Sequence, residues 1–104
     1  MERTIKPEDF AAIADTAMVL DVRRLEDRAA SNETVPFAIW KDPTQIDQWI
    51  EAMPRKHPVV IYCVRGGGVS NSVVDRLQAE GVNARFIEGG IEGLKAAGGK
   101  VEAK

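Results

Sequence analysis

The sequence predicts an α/β domain of three layers, a parallel sheet with helices covering both sides, on three observations. Short apolar runs alternate with segments of helical period, the connections between them are short, and the run at 59–64 is apolar at every position. A run of that kind suits a central strand buried on both faces. A chain of 104 residues with 44% hydrophobic content has room for one compact core and not for two ordinary domains, so a single domain over 1–104 is expected.

The elements follow in order. Pro7 stands where a first helical turn accepts proline, and Phe10, Ile13 and Ala14 fall on one face, which predicts a short helix over 7–14. Met18, Val19, Leu20 and Val22, interrupted by Asp21, read as a buried strand with a polar residue near its C-terminal end. From 23 to 34 the chain is charged and aperiodic, which reads as a loop with room for one helical turn. Residues 35–40 are largely apolar but contain Pro36, and this places their strand at or near a sheet edge.

Asp42, Pro43 and Gln45 then supply an N-cap, a first-turn proline and a capping-box partner for a helix whose apolar positions are Ile46, Trp49, Ile50 and Met53. Pro54 and Pro58 bracket the connection to the central strand. In the helix after it, Ser70 or Ser72 is placed to cap, Val73, Val74 and Leu77 form the buried stripe, and Gly81 supplies the left-handed end. Residues 84–87 read as another strand, 91–97 as a last helix ended by Gly98, and 99–104 as a frayed tail.

Charged residues make up 29% of the chain, mixed in sign and netting −2, so no broad basic face is available for nucleic acid or an anionic membrane. The longest apolar run, 59–64, is far short of the roughly 20 residues that span a bilayer. Met1, Glu2, Arg3 and Thr4 make a polar start. A soluble cytoplasmic protein without a signal peptide is expected. Cys63 is the only cysteine, which excludes an internal disulfide and a cysteine-based zinc site within one chain.

Free cysteine is commonly buried filler, but the surroundings of Cys63 argue against that here. It stands at the C-terminal end of the central strand, where open parallel sheets bind their ligands, and Val64, Arg65, Gly66, Gly67, Gly68, Val69 and Ser70 lead from it into a helix. Glycines let successive N–H groups turn inward, and the helix N-terminus adds unpaired donors, so the segment is an anion cradle. Those donors and the charge of Arg65 favour thiolate over thiol. The one histidine, His57, precedes Cys63 by six residues, roughly 20 Å along a strand, so no cysteine–histidine dyad is expected.

With these residues in place the sequence resembles the rhodanese family, and the resemblance covers nearly the whole chain. Ile5, Lys6, Pro7, Glu8 and Asp9 are similar to the family's opening helix, Val19, Leu20, Asp21, Val22 and Arg23 to its leading strand, residues 59–63 to its catalytic strand, and Phe86, Ile87, Glu88, Gly89 and Gly90 to its closing motif. The resemblance implies a parallel sheet of about five strands and a single-domain sulfurtransferase. In that reaction Cys63 takes a sulfane sulfur from a small-molecule donor such as thiosulfate, and an acceptor such as cyanide or a thiol removes it. The resemblance implies loop N–H groups on the persulfide, Arg65 on the donor's sulfonate, and no cofactor or metal. With no second cysteine, the acceptor is an external thiol, cyanide or a protein.

Three departures stand out. Pro36, Phe37 and Ala38 replace the family's usual Pro-Gly-Ala, Leu94 stands where an aromatic is common, and the loop from Cys63 to Ser70 is about one residue longer than in the common sulfurtransferases. A longer loop also suits the phosphatases and arsenate reductases of this fold, which close it with an arginine that grips two oxygens; here that position is Val69. A non-catalytic sulfur carrier is the other alternative. Asp21 and Arg23 are candidates for supporting the crevice, with Arg23 pairing to Asp21 or Glu26 as the simpler role. Trp49 reads as core, Trp40 carries no assignment, and Gly89 and Gly90 read as a tight turn.

Overall fold

The computed structural model describes residues 2–104. In chain order the elements are β1 (Thr4–Ile5), α1 (Pro7–Ile13), β2 (Met18–Asp21), α2 (Leu25–Ala29), β3 (Glu33–Thr34), β4 (Ile39–Trp40), α3 (Ile46–Trp49), β5 (Val59–Tyr62), α4 (Gly68–Ala79), β6 (Ala84–Ile87), α5 (Gly90–Ala96) and β7 (Glu102–Ala103). Five strands form one parallel sheet in the order β1-β6-β5-β2-β4, and β3 and β7 form a separate antiparallel ribbon. The fold is the three-layer α/β architecture expected. Among the described residues, no helix is long and apolar enough to cross a membrane.

The central strand explains the two cores. Side chains alternate along a strand, so Val59 and Ile61, with Cys63 just beyond, face one way and Val60 and Tyr62 the other. The first set joins Leu20, Val22, Trp49, Val74 and Leu77 beneath α3 and α4. The second joins Ile5, Phe10, Val35, Ile91 and Leu94 beneath α1 and α5. Both faces being buried, β5 is apolar throughout.

Several expectations are corrected. β1 is absent from the sequence reading because Thr4 and Ile5 are too few to show a period; they pair in register with Phe86 and Ile87. The strand expected over 35–40 shortens to β4, because the chain turns at Phe37, whose φ is 65°. The helix after Asp42 is α3 between two 3-10 turns, Pro43–Gln45 and Ile50–Ala52. Asp42 does cap, accepting from Thr44 N at 2.9 Å, but Gln45 bonds to Gln48 and closes no capping box. Residues 99–104 are not frayed: Glu102 pairs with Thr34, and Lys104 N donates to Asn32 O at 2.8 Å.

The loop over 23–34 does hold one short helix, α2, and it is fastened by a buried ion pair. Asp21 and Arg23 are each 1% exposed. Arg23 Nε and Nη2 reach Asp21 at 2.8–3.1 Å, and Nη2 also donates to Glu33 O at 3.0 Å. Burial opposes the charge on Arg23, yet the hydrogen bonds and the charge of Asp21 raise its pKa above the ordinary value. Trp40 Nε1 donates to Arg23 O at 2.9 Å, which ties β4 to the same point. Tyr62 OH bonds Thr34 Oγ1 and accepts from Val35 N, and burial pushes that hydroxyl's pKa up.

Candidate active site

Cys63 follows the last residue of β5 at the C-terminal edge of the sheet, and its side chain is 6% exposed. Its neighbours in space are set by β2, which pairs with β5 from Met18↔Val59 to Asp21↔Tyr62. The residues that leave β2 therefore rise beside those that leave β5. Between them lies a hollow of about 390 Å³, lined by Cys63, Val64, Arg65, Gly67, Gly68 and Val69 from one side and by Arg23, Arg24 and Asp27 from the other.

The helix starts earlier than the sequence suggests. Gly67 is the N-cap and α4 begins at Gly68, so neither Ser70 nor Ser72 caps it. Gly68, Val69 and Ser70 form its first turn, and the connection from β5 is residues 63–67. Asn71 fixes the start, donating to Gly67 O from both its backbone N (3.1 Å) and its side-chain Nδ2 (3.2 Å). Ser70 is fully buried, and its Oγ has no hydrogen-bond partner among the described residues.

The connection is held from behind by α5. Ile91 N donates to Cys63 O at 2.9 Å and Glu92 N to Val64 O at 3.1 Å. In a trans peptide the N–H points opposite to the C=O. Tying those two carbonyls to α5 therefore turns the N–H groups of Val64 and Arg65 away from it. Among the described residues, no backbone N–H from Val64 to Ser70 donates to another backbone group. These are the free donors of a strand-to-helix connection and a helix N-terminus.

The glycines divide by role. Of the triplet only Gly66 takes positive φ (71°), and a Cβ there would lie 3.0 Å from Gly89 N. Gly67 and Gly68 have nothing near the place of a Cβ. Gly90 presses directly on the cysteine's backbone: a Cβ would fall 2.5 Å from Cys63 O and 2.6 Å from Val64 O. Gly89 and Gly90 are thus more than a turn; they let α5 close onto the backbone of the cysteine.

The predicted site residues are brought together in part. Cys63, Val64, Arg65, Gly67, Gly68, Val69 and Arg23 line the hollow, while Gly66, Ser70 and Asp21 do not. Arg65 is exposed, and neither it nor Arg24 forms an ion pair among the described residues. The Arg23 guanidinium is committed to Asp21. Val69 is half-buried and packs onto the core beneath α3 and α4. Arg24 and Asp27 escaped the sequence reading because their segment lacks a period; the adjacency of β2 to β5 is the signal that places them. His57 is exposed and precedes β5, at the opposite end of the strand from Cys63.

Comparison with known proteins agrees with the fold. The Rhodanese-like domain family matches residues 6–97. A rhodanese-related protein from Thermoplasma volcanium superposes with a TM-score of 0.86 at 22% identity, covering 99% of this chain and 100% of that one. A thiosulfate sulfurtransferase from Pseudomonas aeruginosa matches with a TM-score of 0.79 at 23% identity, over 99% of this chain and 20% of that one. A Rhodopseudomonas palustris protein described as a possible tyrosine phosphatase matches with a TM-score of 0.77 at 20% identity, over 96% and 84%. At these identities the structural likenesses establish the fold. No curated protein matches the chain in sequence.

Proposed function

The chain belongs to the rhodanese-like family, and on that premise we propose that it is a sulfurtransferase working through a persulfide on Cys63. The Cys63 thiolate attacks the sulfane sulfur of thiosulfate. The donor's S–S bond breaks, sulfite leaves with the bonding electrons, and a persulfide stays on the enzyme. Cyanide or a thiol then attacks the outer sulfur, and the thiolate leaves from the persulfide bond and is restored. Thiocyanate or a new persulfide departs. Both steps are two-electron displacements and need no cofactor or outside oxidant.

The observation that carries this reading is the opening of a buried thiol onto a small hollow supplied with free N–H groups and two unpaired arginines. The outer sulfur of a persulfide stands about 2.05 Å beyond Sγ. There the N–H groups of the connection and of the first turn of α4 hold its negative charge, as donors hold a developing anion elsewhere. Arg65 and Arg24 receive the sulfonate of the donor. The lone cysteine leaves the acceptor role to an external thiol or cyanide. A small-molecule donor and cytoplasmic work, where thiols stay reduced, fit this chemistry.

For Arg65→Ala and Arg24→Ala the KM for thiosulfate rises about tenfold each, the loss of one charge-assisted hydrogen bond. Thermal unfolding stays unchanged because both side chains are exposed. Unaltered thiosulfate kinetics in both variants would remove the arginines from the site.

The likeness to the possible tyrosine phosphatase keeps an oxyanion reading in play. Against it, the side chain at position 69 is a valine packed on the core, so no planar fork reaches the hollow from the first turn of α4. Hydrolysis of an aryl phosphate, or arsenate consumption with a thiol reductant, by a chain that forms no persulfide would decide for that reading. A sulfur carrier would form the persulfide and turn over slowly until its partner is added.

A further inference from the structure

We infer that two copies of this chain pair through the face that carries Phe37, each copy seating its Phe37 ring in a cavity of the other. The inference does not rest on the chemistry of Cys63, which faces the opposite side of the sheet.

Phe37 is the only non-glycine residue with positive φ among the described residues (65°), and its side chain is 89% exposed. Bulky residues rarely adopt that conformation, and its strain persists only where something offsets it. Among the described residues nothing does: the ring stands in solvent. A lone exposed ring is ordinary, but one that adjoins an apolar hollow makes a contiguous patch of the kind that marks a contact site.

Beside it lies a cavity of about 650 Å³ between α1, α5 and the chain leading to β7, with Phe10, Val35, Leu94 and Val101 among its lining and Phe37 on its rim. A cavity of about 150 Å³ already holds a benzene ring, so this one accommodates a benzyl group with its flanking backbone. A protruding ring and a hole share one patch. A two-fold rotation through that patch lays each ring over the other copy's hole, which is the self-complementarity of an isologous interface. A foreign peptide or an acyl chain would need the hole and would leave the ring unexplained.

The rim charges fit the same operation. Asp15, Lys100 and Glu102 border the cavity, and none forms an ion pair among the described residues. Both signs on one self-paired face let Lys100 of each copy meet the acids of the other.

Sedimentation velocity of the full chain, from micromolar to near-millimolar concentration, tests this. The mass should climb from 11.4 kDa to twice that value and stop there. Phe37→Gly should weaken association by about thirtyfold or more, as loss of a central aromatic anchor does. Its unfolding temperature should rise, because glycine relieves the strained φ, which separates lost pairing from lost folding. Lys100→Glu alone, and Asp15→Lys with Glu102→Lys alone, should each stay monomeric, and the two should associate when mixed. A wild-type mass fixed at 11.4 kDa, growth past a dimer, Phe37→Gly pairing as wild type, or rim variants that stay apart on mixing would each overturn the inference.

Discussion

The connection after β5 and the turn before β4 both need backbone in the left-handed region, and they meet the need with opposite residues. Around Cys63 the positive-φ positions are Gly66, Gly89 and Gly90. At Gly66 and Gly90 a side-chain carbon would run into backbone, 3.0 Å from Gly89 N and 2.5 Å from Cys63 O. At the other turn the position is Phe37, whose ring extends into solvent. In the first region glycine is required by two causes, conformation and space. In the second only conformation asks for it, so the cost of a large residue is strain alone and the position is free to present a side chain. The cysteine is held in a backbone with no slack, and Phe37 is displayed.

That contrast can be broken at graded sizes. Gly90→Ala adds a carbon within contact of two carbonyls at a positive φ, and it should cost about 4 kcal/mol, combining left-handed strain with overpacking. The sulfur-transfer rate should fall with it, since α5 can no longer grip Cys63 and Val64. Denaturant unfolding reads the cost, and a loss under 1 kcal/mol would show that the two backbones separate easily. Arg23→Met comes next. It leaves the buried Asp21 carboxylate with only the more distant Arg28 Nε, at 3.6 Å, and the Arg23 backbone N–H, and should cost about 3 kcal/mol. A variant as stable as the parent would mean the pair merely offsets its own desolvation.

Smaller still is Tyr62→Phe. It removes the oxygen that accepts from Val35 N at 3.3 Å and should cost about 1 kcal/mol. Hydrogen exchange should quicken at Val35 and Ala38, near Phe37, and stay unchanged at Ile91 and Glu92, whose amides hold the cysteine connection. Equal quickening in both places would show that the two turns are one cooperative unit.

Much of this was legible in the sequence where residues speak through local rules. The run at 59–64 announced a strand buried on two faces, and Asp42 announced a cap that forms. Cys63 before Gly66 announced a strand end leading into a helix. What stayed hidden depends on partners far along the chain. β1 has too few residues to show a period, and β7 exists because Thr34 offers it an edge. Ser70 looked like a cap, but the cap of α4 is Gly67, three residues earlier, where Asn71 reaches back to its carbonyl. Arg24 and Asp27 sit in an aperiodic stretch and reach the site because β2 neighbours β5. The departure of Phe37 from the family's glycine was visible at once. Its exposure and its backbone conformation needed the fold.

The central claim concerns the thiol at the end of β5, and intact mass spectrometry tests it most directly. Incubated with thiosulfate in the absence of reductant, the wild-type chain should gain one sulfur atom, which cyanide then removes as thiocyanate. Cys63→Ser should gain none. A wild-type chain that keeps its mass under those conditions would contradict the account.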